Sequence, residues 1–127
     1  MFELPFNHTV TIIIITVIIS FLAFSNQNLM NRLIFWPPAM QKGQYDRFIT
    51  HGFVHADGMH LLFNMFTLFF FGSIIETFYR QYLFDLGFVL FYLGGLIAAI
   101  IPSYLQHKND HRWASLGASG AVSAVLF

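Results

Sequence analysis

The sequence contains no cysteine and very few charged residues. Without cysteine there is no disulfide, no thiolate metal site and no cysteine nucleophile, so a side-chain nucleophile must be an oxygen. Charged residues make up 9% of the chain, far below the roughly 25% of an ordinary soluble domain. Six basic and six acidic residues give a formal net charge of zero, which removes the electrostatic basis for binding nucleic acid. A chain that is 57% hydrophobic also lacks the polar residues to cover a soluble surface.

The few charges bunch together and leave long uncharged stretches. These are 4–31, 58–75 and 86–106, each close to or above the roughly 20 apolar residues that a helix needs to cross a bilayer. We therefore expect three complete crossings in an all-α, polytopic transmembrane helical bundle, hence a multi-pass integral membrane protein within the lipid bilayer. A fourth apolar stretch, 114–127, is shorter, and we expect the chain to be truncated in this fourth helix. A cleaved signal peptide is the alternative for the first stretch, but no basic residue precedes it.

Three connections separate the apolar stretches. The first, 26–57, is long and combines Trp36 and Tyr45 with basic residues, which is typical of the lipid headgroup layer. We expect a long interfacial loop there, and the alternative is a loop that packs on other parts of the protein. The second, 79–82, is short, so the second and third crossings should be antiparallel neighbours. The third, 107–113, is polar and turn-like.

A polar cluster enters the second crossing. If the helix begins near Gly58 with Asp57 as its N-cap, His60 and Asn64 lie four residues apart on one face. Polar groups in hydrocarbon are costly, so two on one face favour a functional site over hydrogen bonds that only hold the bundle together. Glu76 lies about 24 Å further along the helix and cannot serve the same site. We expect it to bond to a neighbouring helix end or loop.

A serine flanked by glycines opens the fourth apolar stretch. The segment 117–120 reads Gly-Ala-Ser-Gly, which leaves the Ser119 hydroxyl uncrowded and lets a substrate backbone approach. The free N–H groups of a helix start also favour a negatively charged oxygen nearby. A serine at a helix start is often only a cap, and the small residues, Gly117 among them, also predict close helix packing. Combined with His60 and Asn64, the segment predicts acyl transfer, because that chemistry needs a nucleophile and donors for the oxyanion.

These residues closely resemble the motifs of the rhomboid intramembrane serine proteases. The pattern is His55-x4-His60-x3-Asn64 followed by Gly-Ala-Ser-Gly at 117–120, and the similarity covers nearly the whole chain. The resemblance implies a six-helix membrane protease, of which residues 1–127 form a partial rhomboid-like domain. It also implies a cytoplasmic N-terminus, whereas the basic residues of the connections indicate the opposite orientation.

The resemblance further implies a role for each site residue. Ser119 would be the nucleophile, while His60, Asn64 and the backbone N–H of Ser119 would hold the oxyanion. His55 would support the site from its rim, and Gly117 would be a further residue of the oxyanion or substrate-binding site. The expected activity is that of a serine endopeptidase that cleaves transmembrane protein substrates near the membrane surface, with no metal and no cofactor.

The resemblance has departures that leave alternatives open. In rhomboids the general base is a histidine on the sixth crossing, which this sequence does not include, so the chain alone is expected to be inactive. Many members also carry an aromatic residue at the position of Ser123. One alternative is a non-catalytic rhomboid-like protein that binds membrane clients. Another is a metal-dependent enzyme using His51, His55 and His60, although no carboxylate accompanies them at helical spacing. The sequence makes no prediction of oligomeric state.

Overall fold

A computed structural model of the protein describes residues 8–82, 86–118 and 122. Within these residues the chain is helical, and its β-type pairing is limited to one antiparallel bridge between Phe35 and Ser115. The all-α class predicted from the sequence is therefore confirmed. The α-helices are α1 (His8–Phe24), α2 (Gln27–Leu33), α3 (Arg47–Thr50), α4 (Gly58–Thr67), α5 (Ser73–Tyr82) and α6 (Gly87–His107). Short 3-10 helices cover Pro37–Lys42 and His51–Phe53, and a π-helical turn, Leu68–Gly72, joins α4 to α5.

Among the residues that the structure describes, two helices are long and apolar enough to cross a membrane. They are Gly58–Gln81 and Gly87–His107, the second and third of the predicted crossings. The first is the shorter α1, whose 17 residues reach about 26 Å. It ends before Asn26, whose side chain accepts the Leu29 N–H and caps α2.

The position predicted for the second connection, 79–82, is wrong, because these residues continue α5 to Tyr82. Two interactions hold this last part of the helix. Arg80 Nη2 donates to the Glu76 carboxylate at 2.8 Å, four residues back along the helix. The Tyr79 ring packs on Phe91 of α6, with ring centroids 5.4 Å apart. The connection to α6 therefore begins later in the sequence than its polar residues indicate.

Helix α1 turns three of its four hydroxyl groups inward, Thr11 being exposed, and most of its large apolar side chains outward. Ile18, Phe21 and Leu22 are each more than half exposed. This is the reverse of an amphipathic helix in a soluble protein, and it suits a helix whose outer face meets lipid. The buried residues recur at intervals of three or four: Thr9, Ile12, Thr16, Ser20 and Ala23.

The first connection packs on the rest of the protein, as the alternative reading of its sequence predicts. The fully buried Phe35 ring lies edge-on to Phe48, at a centroid distance of 5.0 Å, and to Tyr104 of α6, at 5.7 Å. Gly52 lies so close to α6 that a Cβ there would overlap the Leu96 side chain. These contacts hold the first connection against α6 at two places, near its beginning and near its end. Its place in the headgroup layer stays a prediction.

Candidate functional site

One cavity is lined by most of the residues that the sequence singles out. Its volume is about 240 Å³. The wall comes from the end of the first connection, the first two turns of α4 and the segment after α6. The lining residues are His55, Ala56, His60, Phe63, Asn64, Leu116 and Gly117.

The start of α4 fixes the position of His60. Asp57 has an extended backbone, and its Oδ1 accepts the His60 backbone N–H at 3.0 Å, so Asp57 is the N-cap that the sequence predicts. The same oxygen lies 3.0 Å from His60 Nδ1. A carboxylate only accepts hydrogen bonds, so Nδ1 of His60 carries the hydrogen. The backbone N–H of His60 is the main cause that lowers the pKa of Asp57, which therefore stays ionised at neutral pH.

His60 and Asn64 line the same cavity one helical turn apart. The His60 side chain is 70% exposed, whereas Asn64 is half-buried. Because Nδ1 of His60 already donates to Asp57, Nε2 can donate to a substrate oxygen only when the ring is doubly protonated. The Asp57 carboxylate then balances the positive charge. In that state, the His60 ring and the Asn64 amide both place N–H donor groups at the cavity, the type of group that binds a negatively charged oxygen.

His55 lines the cavity and is only 1% exposed. Its Nδ1 is 3.2 Å from Ser20 Oγ of α1, and its Nε2 accepts the Ala118 backbone N–H at 3.2 Å. Burial lowers the pKa of His55 to about 4, and the nearby His60 lowers it too. The ring is therefore neutral at physiological pH and joins α1 to the segment after α6.

The segment after α6 makes a sharp turn at Gly117. Its φ is 109°, in the left-handed region that favours glycine, and its N–H donates to the His51 carbonyl at 2.8 Å. The prediction that Gly117 serves close packing of two helices is therefore wrong. The Val122 N–H donates to the Ala118 carbonyl at 2.9 Å, the spacing of one helical turn. Ser119 follows Ala118 in the sequence and lies outside the described residues.

Backbone bonds fasten this segment to the first connection. The Phe35 N–H donates to the Ser115 carbonyl at 2.8 Å, and the Ser115 N–H donates to the Phe35 carbonyl at 3.0 Å. One residue on, Trp36 Nε1 donates to the His111 carbonyl at 3.0 Å. The first connection therefore fixes the approach of the chain to Gly117.

The three histidines of the metal-dependent alternative, His51, His55 and His60, do not form one cluster. His51 turns to α6, where its Nε2 donates to the Leu96 carbonyl at 3.3 Å. Burial lowers the pKa of His51, against an opposing effect of the Leu96 and Phe48 carbonyls. Both ring nitrogens of His55 already have protein partners. Across residues 8–82, 86–118 and 122, no three metal-ligating side chains form a cluster.

Ser20 contacts His55 of the site, and this contact was not predicted from the sequence. It lies 35 residues before His55, so no local pattern joins the two. A signal was present in the first apolar stretch, where Thr9, Thr16 and Ser20 share one helical face. Hydroxyl groups repeated on one face of an apolar helix indicate a face that meets protein.

A family model described as a Rhomboid domain matches residues 42–127, which include every residue of the cavity wall. Two similar proteins carry related names. The chain is 30% identical over 119 residues to RHOMBOID-like protein 12, mitochondrial, of Arabidopsis thaliana, covering 81% of this chain and 34% of that protein. It is 33% identical over 95 residues to Rhomboid protease GlpG of Enterobacter sp. (strain 638), covering 72% of this chain and 30% of that protein. The chain thus spans about a third of the length of these relatives.

Proposed function

The chain belongs to the rhomboid family, a family of intramembrane proteases, and from this premise we propose that it forms part of a multi-pass membrane serine endopeptidase. Its substrates are transmembrane proteins, cleaved near the surface of the lipid bilayer. The observation that carries the proposal is the cavity between α4 and Gly117, which His55, His60 and Asn64 line together with Gly117, two residues before Ser119 in the sequence.

The reaction that fits this site is acyl transfer to Ser119. The Ser119 oxygen attacks the scissile carbonyl, and its proton passes to a general base. His60, Asn64 and the Ser119 N–H then stabilise the negative oxygen of the tetrahedral intermediate. Collapse of the intermediate breaks the peptide bond, releases the amine and leaves an acyl group on Ser119, which water removes. We assign the general base to no histidine of this chain.

Replacement of the serine tests this proposal. Ser119→Ala in the intact protein should reduce cleavage of a transmembrane reporter to background, a loss of at least about 10³-fold, because no other oxygen takes the place of the nucleophile. The matched control is Ser123→Ala, which removes a hydroxyl four residues away and should leave most of the activity. Equal turnover by the Ser119→Ala variant and the unaltered protein would disprove the assignment.

A second measurement separates the protease from a non-catalytic protein that binds membrane clients. A fluorophosphonate probe forms a bond to an activated serine oxygen and should label Ser119 in the intact protein, but not in the Ser119→Ala variant. A protein that binds a transmembrane client and takes up no label would favour the client-binding alternative.

A further inference from the structure

We propose that Ser20 of α1 is a positioning residue of the candidate site. Its oxygen accepts the Nδ1 hydrogen of His55 and so, together with the Ala118 N–H, stabilises the tautomer whose Nε2 accepts that N–H, which holds the chain immediately before Ser119. The effect on cleavage rests on the function proposed above, whereas the effect on His55 does not.

Three polar contacts connect α1 to the turn after α6. Ser20 Oγ donates to the Phe53 carbonyl at 3.0 Å. The same oxygen lies 3.2 Å from His55 Nδ1. On the other side of the ring, the Ala118 N–H donates to His55 Nε2 at 3.2 Å. Ser20 is therefore two hydrogen bonds away from the residue that precedes the predicted nucleophile.

The hydrogens along this chain of contacts have a single consistent assignment. The Ala118 N–H can only donate, so His55 Nε2 must present its lone pair. A neutral imidazole then carries its hydrogen on Nδ1, which donates to Ser20 Oγ. The one hydroxyl hydrogen of Ser20 remains for the Phe53 carbonyl, which can only accept. The opposite tautomer would point the Nε2 hydrogen at the Ala118 hydrogen.

Burial makes this assignment strict. Ser20 and Ala118 are 0% exposed and His55 is 1% exposed, so water cannot easily replace a lost partner. A donor left unpaired in such surroundings loses its hydration without compensation. The pKa of His55, lowered by burial to about 4, also keeps the ring in the neutral form that has two tautomers.

The orientation of Ser20 is unusual for a helical hydroxyl. Ser and Thr within helices commonly bond to the carbonyl four residues back, as Thr16 does to Ile12 at 2.7 Å on the same face of α1. Ser20 instead bonds to two residues of the first connection, through the Phe53 carbonyl and the His55 ring. Thr16 is equally buried and has no hydrogen bond to the site, so it provides a matched control.

The tautomer of His55 is the direct test. In the intact protein labelled with ¹⁵N-histidine, the ring signal that disappears in His55→Asn identifies His55. We expect the unaltered protein to carry the hydrogen on Nδ1. In Ser20→Ala the Nδ1 hydrogen has lost its acceptor, so we expect part of the rings to turn away from the Ala118 N–H and to appear as an Nε2–H population. Thr16→Val should leave the tautomer unchanged.

Cleavage of the transmembrane reporter is the second readout. Ser20→Ala should lower kcat about five- to tenfold with little change in KM, as expected when one buried neutral hydrogen bond is lost from a positioning contact. Thr16→Val should remain within about twofold of the unaltered protein. Helix content by circular dichroism should be equal in all variants, which separates positioning from misfolding.

The outcomes distinguish this inference from the proposed function. An Nε2–H ring in the unaltered protein, or an unchanged tautomer in Ser20→Ala, would overturn the role of Ser20. A shifted tautomer with undiminished cleavage would also overturn the role of Ser20 as a positioning residue. The proposed protease would then still be tested by Ser119→Ala. A shifted tautomer in an intact protein that cleaves nothing would support the Ser20–His55 contact and contradict the proposed function.

Discussion

The neutral imidazole of His55 makes the stability of the site depend on pH. Burial holds the pKa of this ring at about 4, below its ordinary value of 6.5. A second proton would sit on Nε2 and face the Ala118 N–H, so the folded protein resists protonation there. Between these two pKa values the unfolded chain binds more protons than the folded one, and stability therefore rises with pH.

We predict that the protein loses stability as the pH falls from 6.5 to 4. The contribution of His55 to the slope of the unfolding free energy against pH should approach about 1.4 kcal/mol per pH unit in this range. Above pH 6.5 this contribution to the slope should vanish. His51, whose pKa burial also lowers, acts in the same direction. Unfolding in detergent micelles, followed at several pH values, measures the slope, and His55→Leu should reduce it. An equal slope in that variant would contradict the role given to His55.

At the scale of helices, Glu76 connects α5 to the beginning of α1. Its carboxylate accepts the backbone N–H groups of His8 and Thr9, both at 2.8 Å, and the Thr9 hydroxyl at 2.7 Å. The prediction that Glu76 bonds to a neighbouring helix end is therefore confirmed. A negative charge at the first N–H groups of a helix is also favourable to the helix dipole. Arg80 completes the contact from the next turn of α5.

Glu76→Gln should destabilise the protein by about 2–4 kcal/mol, because the amide group that replaces one oxygen would face N–H donors. The free energy of unfolding in detergent micelles is the measurement. Thr77→Val is the control from the adjacent position, since the exposed Thr77 hydroxyl bonds only within its own helix, to the Ser73 carbonyl. Similar stability of the Glu76→Gln variant and the unaltered protein would show that the carboxylate charge is dispensable.

At the scale of the whole molecule, the first connection packs against α6 and against the segment that leads to Gly117. Phe35 is the centre of this arrangement, because its backbone pairs with Ser115 while its ring meets Tyr104 and Trp113. The His107 ring stacks on Trp113 at a centroid distance of 4.4 Å. Aromatic packing and backbone pairing therefore both stabilise the contact of Phe35 with the segment after α6.

Phe35→Ala should cost about 3–5 kcal/mol, the usual loss for a fully buried phenylalanine. It should also speed hydrogen exchange at the Ser115 amide, because the backbone pairing depends on the ring beside it. Tyr45→Ala is the control, since Tyr45 belongs to the same connection but is 64% exposed. Slow exchange at Ser115 in a destabilised Phe35→Ala variant would show that the pairing stands without the ring.

The parts of the molecule that could be predicted from the sequence depend on local patterns. Uncharged stretches located the helices that start at Gly58 and Gly87, and the side chain of Asp57 predicted the cap of α4. The helical period also placed His60 and Asn64 one turn apart, and both line the cavity. Their catalytic roles, with that of Ser119, stay predictions.

The parts that could not be predicted depend on residues far apart in the chain. The contact between Ser20 and His55 has no local signature, and neither has the pairing of Phe35 with Ser115. The connection predicted at 79–82 is misplaced for a similar reason, because Tyr79 packs on Phe91 of α6, a contact that the polarity of the segment does not indicate. Composition reports the cost of exposing a residue to lipid but not which partner covers it.

The pairing of Phe35 with Ser115 has a consequence for biogenesis. The two residues are 80 positions apart, so a nascent chain exposes Phe35 long before Ser115 leaves the ribosome. During that interval the Phe35 peptide group lacks the two backbone partners that it has in the finished molecule. Closure of the first connection is therefore a late step of maturation, and arrest of translation before Ser115 would leave it open.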